Sequence, residues 1–120
     1  EVCKAKTVHR KKLSIFTFPD VLIVSWKRFG YRRDGAPHKL THPISYPLSF
    51  QVKNVEGEAV QYKLASIINH LGSANNGHYM ATIRANGGWW RCNDEKVDEI
   101  SEPSVKNDLT TPYVLIFHKL

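Results

Sequence analysis

Asn86-Gly87 constrains the fold of this chain more than any other pair of residues, because it stands between two stretches that read as strands, Tyr79 to Arg84 and Trp89 to Cys92. Asn-Gly favours a two-residue hairpin turn, and strands joined that way have a fixed register. Such a turn pairs Ala85 with Gly88 and Met80 with Asn93. Residues two apart share a face, so His78 and Asn93 become diagonal neighbours, their backbones roughly 7–8 Å apart and their side chains able to meet. A three-residue loop, Asn86 to Gly88, would instead pair Met80 with Asp94 and give His78 a carboxylate partner. The turn preference favours Asn93, and Asp94 stays in the candidate site.

A histidine leading one strand, with an amide and a carboxylate at the end of the next, supplies a proton acceptor and a group to orient it. The attacking atom is missing. In the two-residue register Cys92 pairs with Ala81, on the face opposite His78, and no helix N-terminus stands near it to depress its thiol pKa. Cys92 therefore reads as a packed core thiol. Cys3 sits in a charged run ahead of the first strand and is no better placed. The triplet Gly77-His78-Tyr79 carries little weight alone, since short motifs match freely.

At 120 residues, 13.7 kDa and 42% hydrophobic, the chain can form one domain with a modest core. No apolar run approaches the roughly 20 residues of a membrane span, and no signal peptide is read, so a soluble chain of the cytoplasm or nucleus is expected. Two cysteines without a disulfide pattern fit a reducing compartment. The formal net charge of +6 includes Lys4, Lys6, Arg10, Lys11 and Lys12, then Lys27, Arg28, Arg32 and Arg33. Such clusters can bind phosphate without reading sequence. No nucleic-acid module accompanies them, and a solvated basic face is the preferred interpretation.

Most of the chain reads as β. Asp20 to Phe29 is expected to be one buried strand, its run Val21 to Val24 being too apolar for a one-sided sheet. Arg32 to Pro37 is a turn, and His42-Pro43 with Tyr46-Pro47 mark an extended segment outside the middle of any sheet. A second turn at Asn54 to Glu58 leads into a strand from Ala59 through His70. Ser101-Glu102-Pro103 predicts a helix over 102–108, with serine as N-cap and proline in the first turn. Pro112 to His118 is the closing strand. Trp26, Trp89, Trp90, Tyr113 and Phe117, at strand spacing, read as sheet core.

Taken together, Tyr62 to Gly72, Asn76 to Tyr79, Trp89 to Val97 and Tyr113 to Phe117 resemble the histidine box of the ubiquitin-specific proteases, a family of cysteine-type deubiquitinases. Upstream, Lys11 to Ile15, Phe18 to Val24 and Lys27 to Phe29 resemble the segment that leads from that family's fingers into its palm. The resemblance spans essentially the whole chain, in order. It implies an α+β, predominantly antiparallel β architecture: part of a papain-like cysteine-protease fold, with at most one or two short helices. Residues 1–19 would end the fingers and residues 20–120 form the palm. Such a palm without its facing subdomain would leave a large apolar face uncovered.

Residue by residue, the resemblance implies that His78 is the general base, Asn93 the third member of the triad and Asp94 an assisting acidic group. Gly77 and Tyr79 match the wall of the channel for ubiquitin's Gly-Gly tail. Leu71 to Asn76 match a mobile loop beside that channel. His70, at its start, is open to a structural role or to contact with ubiquitin. Asn76 replaces a common second glycine, which would stiffen the loop; Cys92 and Trp90 replace aromatic residues as packing changes. No segment resembles the nucleophile box. The implied function is hydrolysis of the isopeptide or peptide bond after ubiquitin's last glycine by a thiol protease, with the nucleophile outside this chain and the chain inactive alone.

No cofactor is implied for catalysis. Cys3 matches the second cysteine of a zinc-binding Cys-x-x-Cys pair in the family's fingers, so a structural zinc is implied only if ligands lie upstream of Cys3; one cysteine with His9 nearby cannot close a four-ligand site. The implied partners are ubiquitin, ubiquitinated proteins and the N-terminal half of the same catalytic domain, with no membrane partner. Two other classes stay open: a non-catalytic binding module or scaffold that kept the histidine box, and a basic nucleic-acid-interacting domain, the least favoured.

Overall fold

The computed structural model describes residues 4–120. Cys3, and with it the zinc reading, lies outside them. Residues 4–20 form no helix or strand. The elements that follow are β1 (Val21–Ser25), β2 (Phe29–Tyr31), β3 (Pro37–Lys39), β4 (Ser49–Lys53), β5 (Ala59–Gly72), β6 (Gly77–Ala85), β7 (Gly88–Asn93), β8 (Lys96–Ile100), α1 (Glu102–Asn107) and β9 (Pro112–Lys119). Their pairings are all antiparallel.

β5 is the spine of the main sheet. One of its edges carries β9, which in turn carries β1; the other carries β4 along its first half and β6 along its second, continued by β7 and β8. β2 and β3 form a separate hairpin. Cross-strand partners share a face. The row Val24, Leu115, Ile67, Thr82 and Arg91 therefore lies on one face of the sheet, and Ile23, Ile116, Ser66, Ile83 and Trp90 on the other.

The first face is the covered one. Tyr62, Leu64, Ile67, Trp89, Leu115 and Phe117 are buried there with Val105 of α1, and Tyr46, Leu48 and Phe50 close over them. The helix forms where its caps predict. Ser101 Oγ accepts from the Ser104 amide, proline occupies the first turn, and the Asp108 C-cap lies at the predicted boundary. Tyr46 closes the helix's other end by donating its hydroxyl to Val105 O at 2.6 Å. Burial, with Asp108 nearby, raises the Tyr46 phenol to about 12, so it holds its proton as this bond requires.

Away from His70, over which Phe29 packs, the second face stays open among the described residues. Its apolar side chains are half-buried at the sheet's middle and exposed at the edges, where Ile23 and Val97 are both more than half accessible. The molecule is accordingly flat, 61 × 46 × 20 Å, and exposes 9111 Å². A compact monomer of this mass exposes roughly 6,600 Å².

Three expectations are corrected. Asp20 to Phe29 is not one buried strand: β1 ends at Ser25 and is an edge strand, pairing only with β9, so Leu22 and Val24 face the core while Val21 and Ile23 face outward. Its apolar run arises because both faces of the sheet are apolar, not because both are covered. Arg28 does not belong to a basic surface patch; it is 2% exposed and hydrogen-bonded to four backbone carbonyls. Finally, β2, β3, β4 and β8 carry no strand signal in the sequence reading and exist through pairing.

Candidate active site

The hairpin turn takes the two-residue form. Asn86 and Gly87 have φ of 50° and 76°, and Ala85 pairs with Gly88, Ala81 with Cys92. The β6–β7 ladder ends at that last pair. Beyond it the strands part: β6 continues along β5, with Leu71 opposite His78 and Gly72 opposite Gly77, while β7 turns into β8 with Asn93 opposite Lys96. The turn places Asp94 at φ 51°, a left-handed conformation that aspartate tolerates better than most residues.

Across this gap His78 Nε2 lies 2.6 Å from Asn93 Oδ1. An amide oxygen has no proton to give, so the imidazole donates through Nε2–H and its lone pair resides on Nδ1. The contact selects a tautomer and aims the free nitrogen away from the strand pair. Asp94 stands behind it, its Oδ2 4.0 Å from Nε2. The His78 side chain is 47% accessible, so a reactant can reach it. Cys92, on the opposite face by its pairing with Ala81, is partly buried and free.

The neighbouring loop is tighter than the resemblance implied. β5 runs through Gly72, and Ser73 to Asn76 close a turn in which Ser73 N donates to Asn76 O at 2.9 Å and Asn76 N donates to Ser73 Oγ at 3.1 Å. A side chain at Gly72, whose φ is +95°, would place its Cβ 2.4 Å from Asn76 O. At Gly77 the added Cβ would lie 2.0 Å from His70 Nε2. Glycine is needed at both positions because two strand ends and an imidazole share one space.

His70 is 4% exposed, wedged between Phe29 and Tyr79 at ring-centroid distances of 5.0 and 4.8 Å. It forms a wall rather than a contact surface, whereas Tyr79 remains more than half exposed. A cavity of about 470 Å³ opens between this wall and the β2–β3 hairpin, bordered by Tyr31, Ala74 and Asn75. Lys39, which the sequence reading missed, ties hairpin and wall together. Its Nζ donates to His70 O at 3.0 Å and Gly72 O at 3.2 Å. No local pattern marks it, because its acceptors lie more than thirty residues away in sequence.

Burial, and secondarily the Lys39 charge, hold the His70 imidazole below its ordinary pKa of 6.5, and its Nδ1 is buried without a partner. The folded chain therefore binds a proton at His70 less readily than the unfolded chain does. Its contribution to stability is present above pH 6.5 and is lost as pH falls through the lowered value. We expect the thermal midpoint to drop between pH 7.5 and pH 5.5, and a His70→Gln variant to lose much of that slope; an identical slope in the variant would assign it to other groups.

The structure thus brings the His78, Asn93 and Asp94 side chains together; Gly77 and Tyr79 flank His78 along β6, the Tyr79 and His70 side chains pair on the opposite face of the sheet, and Asn76 lies at the adjoining turn. Among the described residues, no group of three or more metal-binding side chains occurs, and no helix is long and apolar enough to cross a membrane.

Residues 1–117 match the family described as ubiquitin carboxyl-terminal hydrolase. The chain is 30% identical over 125 residues to ubiquitin carboxyl-terminal hydrolase 10 of Arabidopsis thaliana, covering 98% of this chain and 13% of that protein. It is 33% identical over 109 residues to ubiquitin carboxyl-terminal hydrolase 8 of Saccharomyces cerevisiae, covering 79% and 23%. Among solved structures, it superposes on a chain of the SAGA DUB module Ubp8/Sgf11/Sus1/Sgf73 bound to monoubiquitin with a TM-score of 0.80 at 30% identity, covering 89% of this chain and 25% of that one. A chain of the yeast SAGA DUBm with an Sgf73 mutant gives 0.81 with the same identity and coverage. The chain therefore spans between about an eighth and a quarter of the length of these relatives.

Proposed function

The chain belongs to the ubiquitin carboxyl-terminal hydrolase family, and from that membership we propose that it supplies the general base and its orienting group to a thiol protease that cleaves after ubiquitin's C-terminal glycine. Its architecture, an antiparallel sheet with one short helix, is part of the papain-like fold of the relatives it superposes on. The observation that carries the proposal is the 2.6 Å contact between His78 Nε2 and Asn93 Oδ1, which leaves Nδ1 as the basic nitrogen of an accessible imidazole.

In this reading Nδ1 takes the proton of a cysteine thiol, the thiolate attacks the carbonyl of the terminal glycine, and the imidazolium returns the proton to the departing lysine amine. Asn93 holds the ring through both transfers. Asp94 adds negative potential that stabilises the imidazolium. The attacking cysteine belongs to a segment outside these 120 residues, since Cys92 is turned to the other face of the sheet. In this reading residues 1–19 end the fingers and residues 20–120 are the palm. Gly77, Tyr79, His70 and Asn76 frame the passage for the ubiquitin tail. The partners are ubiquitin, ubiquitinated proteins and the N-terminal half of the same catalytic domain, in the cytoplasm or nucleus; catalysis requires no cofactor.

The test compares this chain with the complete protein in hydrolysis of a fluorogenic amide at ubiquitin's C-terminus. The complete protein is expected to turn over and to be silenced by thiol alkylation, while the chain alone is silent. A complete protein that binds ubiquitin without cleaving it would instead make this domain a binding module.

A further inference from the structure

Beneath the His78–Asn93 contact, on the same covered face of the sheet, lies a set of polar side chains that the proposed chemistry does not use. Asn69 and Thr82 are each 1% exposed. Thr82 Oγ1 donates to Asn69 Oδ1 at 2.8 Å, and Asn69 Nδ2 donates to Thr111 Oγ1 at 3.1 Å. The Thr111 hydroxyl donates in turn to Asp108 Oδ2, while Asp108 Oδ1 accepts from the Thr111 amide at 3.2 Å. Arg91 Nη2 stands 3.7 Å from the same Oδ2. Arg91 and Thr82 are direct partners in the β6–β7 ladder, so the set closes on itself: β6, β5, the lead-in to β9, the end of α1, β7, and back to β6.

The position of this ring matters because the ladder stops short of the site. His78 is held only by β6 on β5, and Asn93 only by β7 on β8. Between the last ladder pair and the 2.6 Å contact no backbone bond fixes how far apart the strands spread. The ring spans that division. Asn69 sits on β5, one ladder step from the segment that holds His78, and Arg91 sits on β7, two residues before Asn93 on the same face. Arg28 anchors the ring's outer arc by donating to Leu109 O at 3.2 Å and Pro112 O at 2.9 Å, on either side of Thr111. The ring is buried at Asn69 and Thr82, where removing a partner is costly, and reaches the surface at Arg91 and Asp108, whose side chains are 30% and 19% accessible.

We propose that Asn69 and Thr111 are positioning residues for the proposed protease site, acting through Thr82, Asp108 and Arg91 to set the distance at which Asn93 meets His78. The inference rests on the reading of His78 as general base. None of the five touches a reacting atom. Their effect is on the fraction of time the imidazole is held in the Nε2–H tautomer at the correct distance, and hence on kcat rather than on ubiquitin binding.

Thr111→Val removes the hydroxyl from the middle of the ring while keeping a side chain of similar shape, and Thr111→Ser restores the hydroxyl. In the complete protein, Thr111→Val is expected to lower kcat about tenfold at unchanged KM, with Thr111→Ser within about twofold of the parent. In protein labelled with 15N-histidine, His78 should show the single Nε2–H tautomer in the parent and in Thr111→Ser, and a mixture in Thr111→Val. Unchanged kcat and tautomer in Thr111→Val, or equal losses in both variants, would overturn the proposal. If Thr111→Val fails to fold, Arg91→Met opens the ring at its most accessible link, and an unchanged kcat there overturns it equally. If the parent does not cleave ubiquitin amides, the general-base reading falls, and the tautomer comparison alone decides whether the ring positions His78.

Discussion

Replacement of His78 by glutamine in the complete protein is expected to lower kcat for ubiquitin amide hydrolysis by roughly 10³- to 10⁴-fold, while affinity for ubiquitin changes little. Glutamine can still reach Asn93 but offers no nitrogen that takes up a proton near neutral pH, so it isolates proton transfer from packing. The side chain is 47% accessible and stands at the end of a ladder, so the fold has little to lose. Asn93→Asp serves as the companion variant. A carboxylate still accepts from Nε2–H, and activity is expected to stay within about tenfold of the parent, whereas Asn93→Leu cannot accept and should lose about 10²-fold. A His78→Gln protein that retained more than a tenth of parental turnover would show that the proton is carried elsewhere.

Arg28→Met is expected to be the most destabilising single substitution in the chain, costing about 3–5 kcal/mol. The Arg28 guanidinium donates through Nε to Pro112 O at 2.9 Å, through Nη1 to Leu40 O at 3.1 Å and His42 O at 2.9 Å, and through Nη2 to Leu109 O at 3.2 Å. It knits the chain after β3 to the α1–β9 connection and to the first residue of β9; of these acceptors, Leu109 O also takes the Ile44 amide at 2.9 Å. Methionine fills much of the volume and satisfies none of them. Burial lowers the Arg28 pKa and Asp108 partly offsets it; the guanidinium keeps its charge, and all four of its hydrogen bonds are charge-assisted. Lysine, a single point donor, cannot reproduce the fork, and Arg28→Lys should lose nearly as much. Thermal denaturation is the check: a midpoint lowered by about 10–20 °C is expected, and a shift below about 3 °C would sink the argument.

These two residues mark what could and could not be read from the sequence. The meeting of His78 with Asn93 was legible because a two-residue turn converts sequence spacing into a face and a distance, and the turn residues announce themselves. The helix was legible for the same reason: Ser101 and Pro103 act on their immediate neighbours. Arg28 was misread as a surface cation because its four acceptors lie between 12 and 84 residues away, and nothing adjacent reports them. The hydrogen bonds of Lys39 and Asn69 were invisible on the same ground. The exposure of Val21 and Ile23 followed from β1 being an edge strand, which depends on strand order and not on the run of apolar residues itself.

The strand alternation that joins the buried ring to the site also restricts how such a chain can vary over time. His78 lies four residues before Thr82 on β6, and Asn93 two residues after Arg91 on β7, both even intervals. A single inserted or deleted residue within either interval would turn the imidazole or its amide to the opposite face, beside Tyr79 or Cys92, however well the core tolerated the change. Substitutions are open to drift in these stretches, but their lengths are not. Related chains should therefore differ more readily in length at Ser73 to Asn76, while the intervals from His78 to Thr82 and from Arg91 to Asn93 act as fixed rulers.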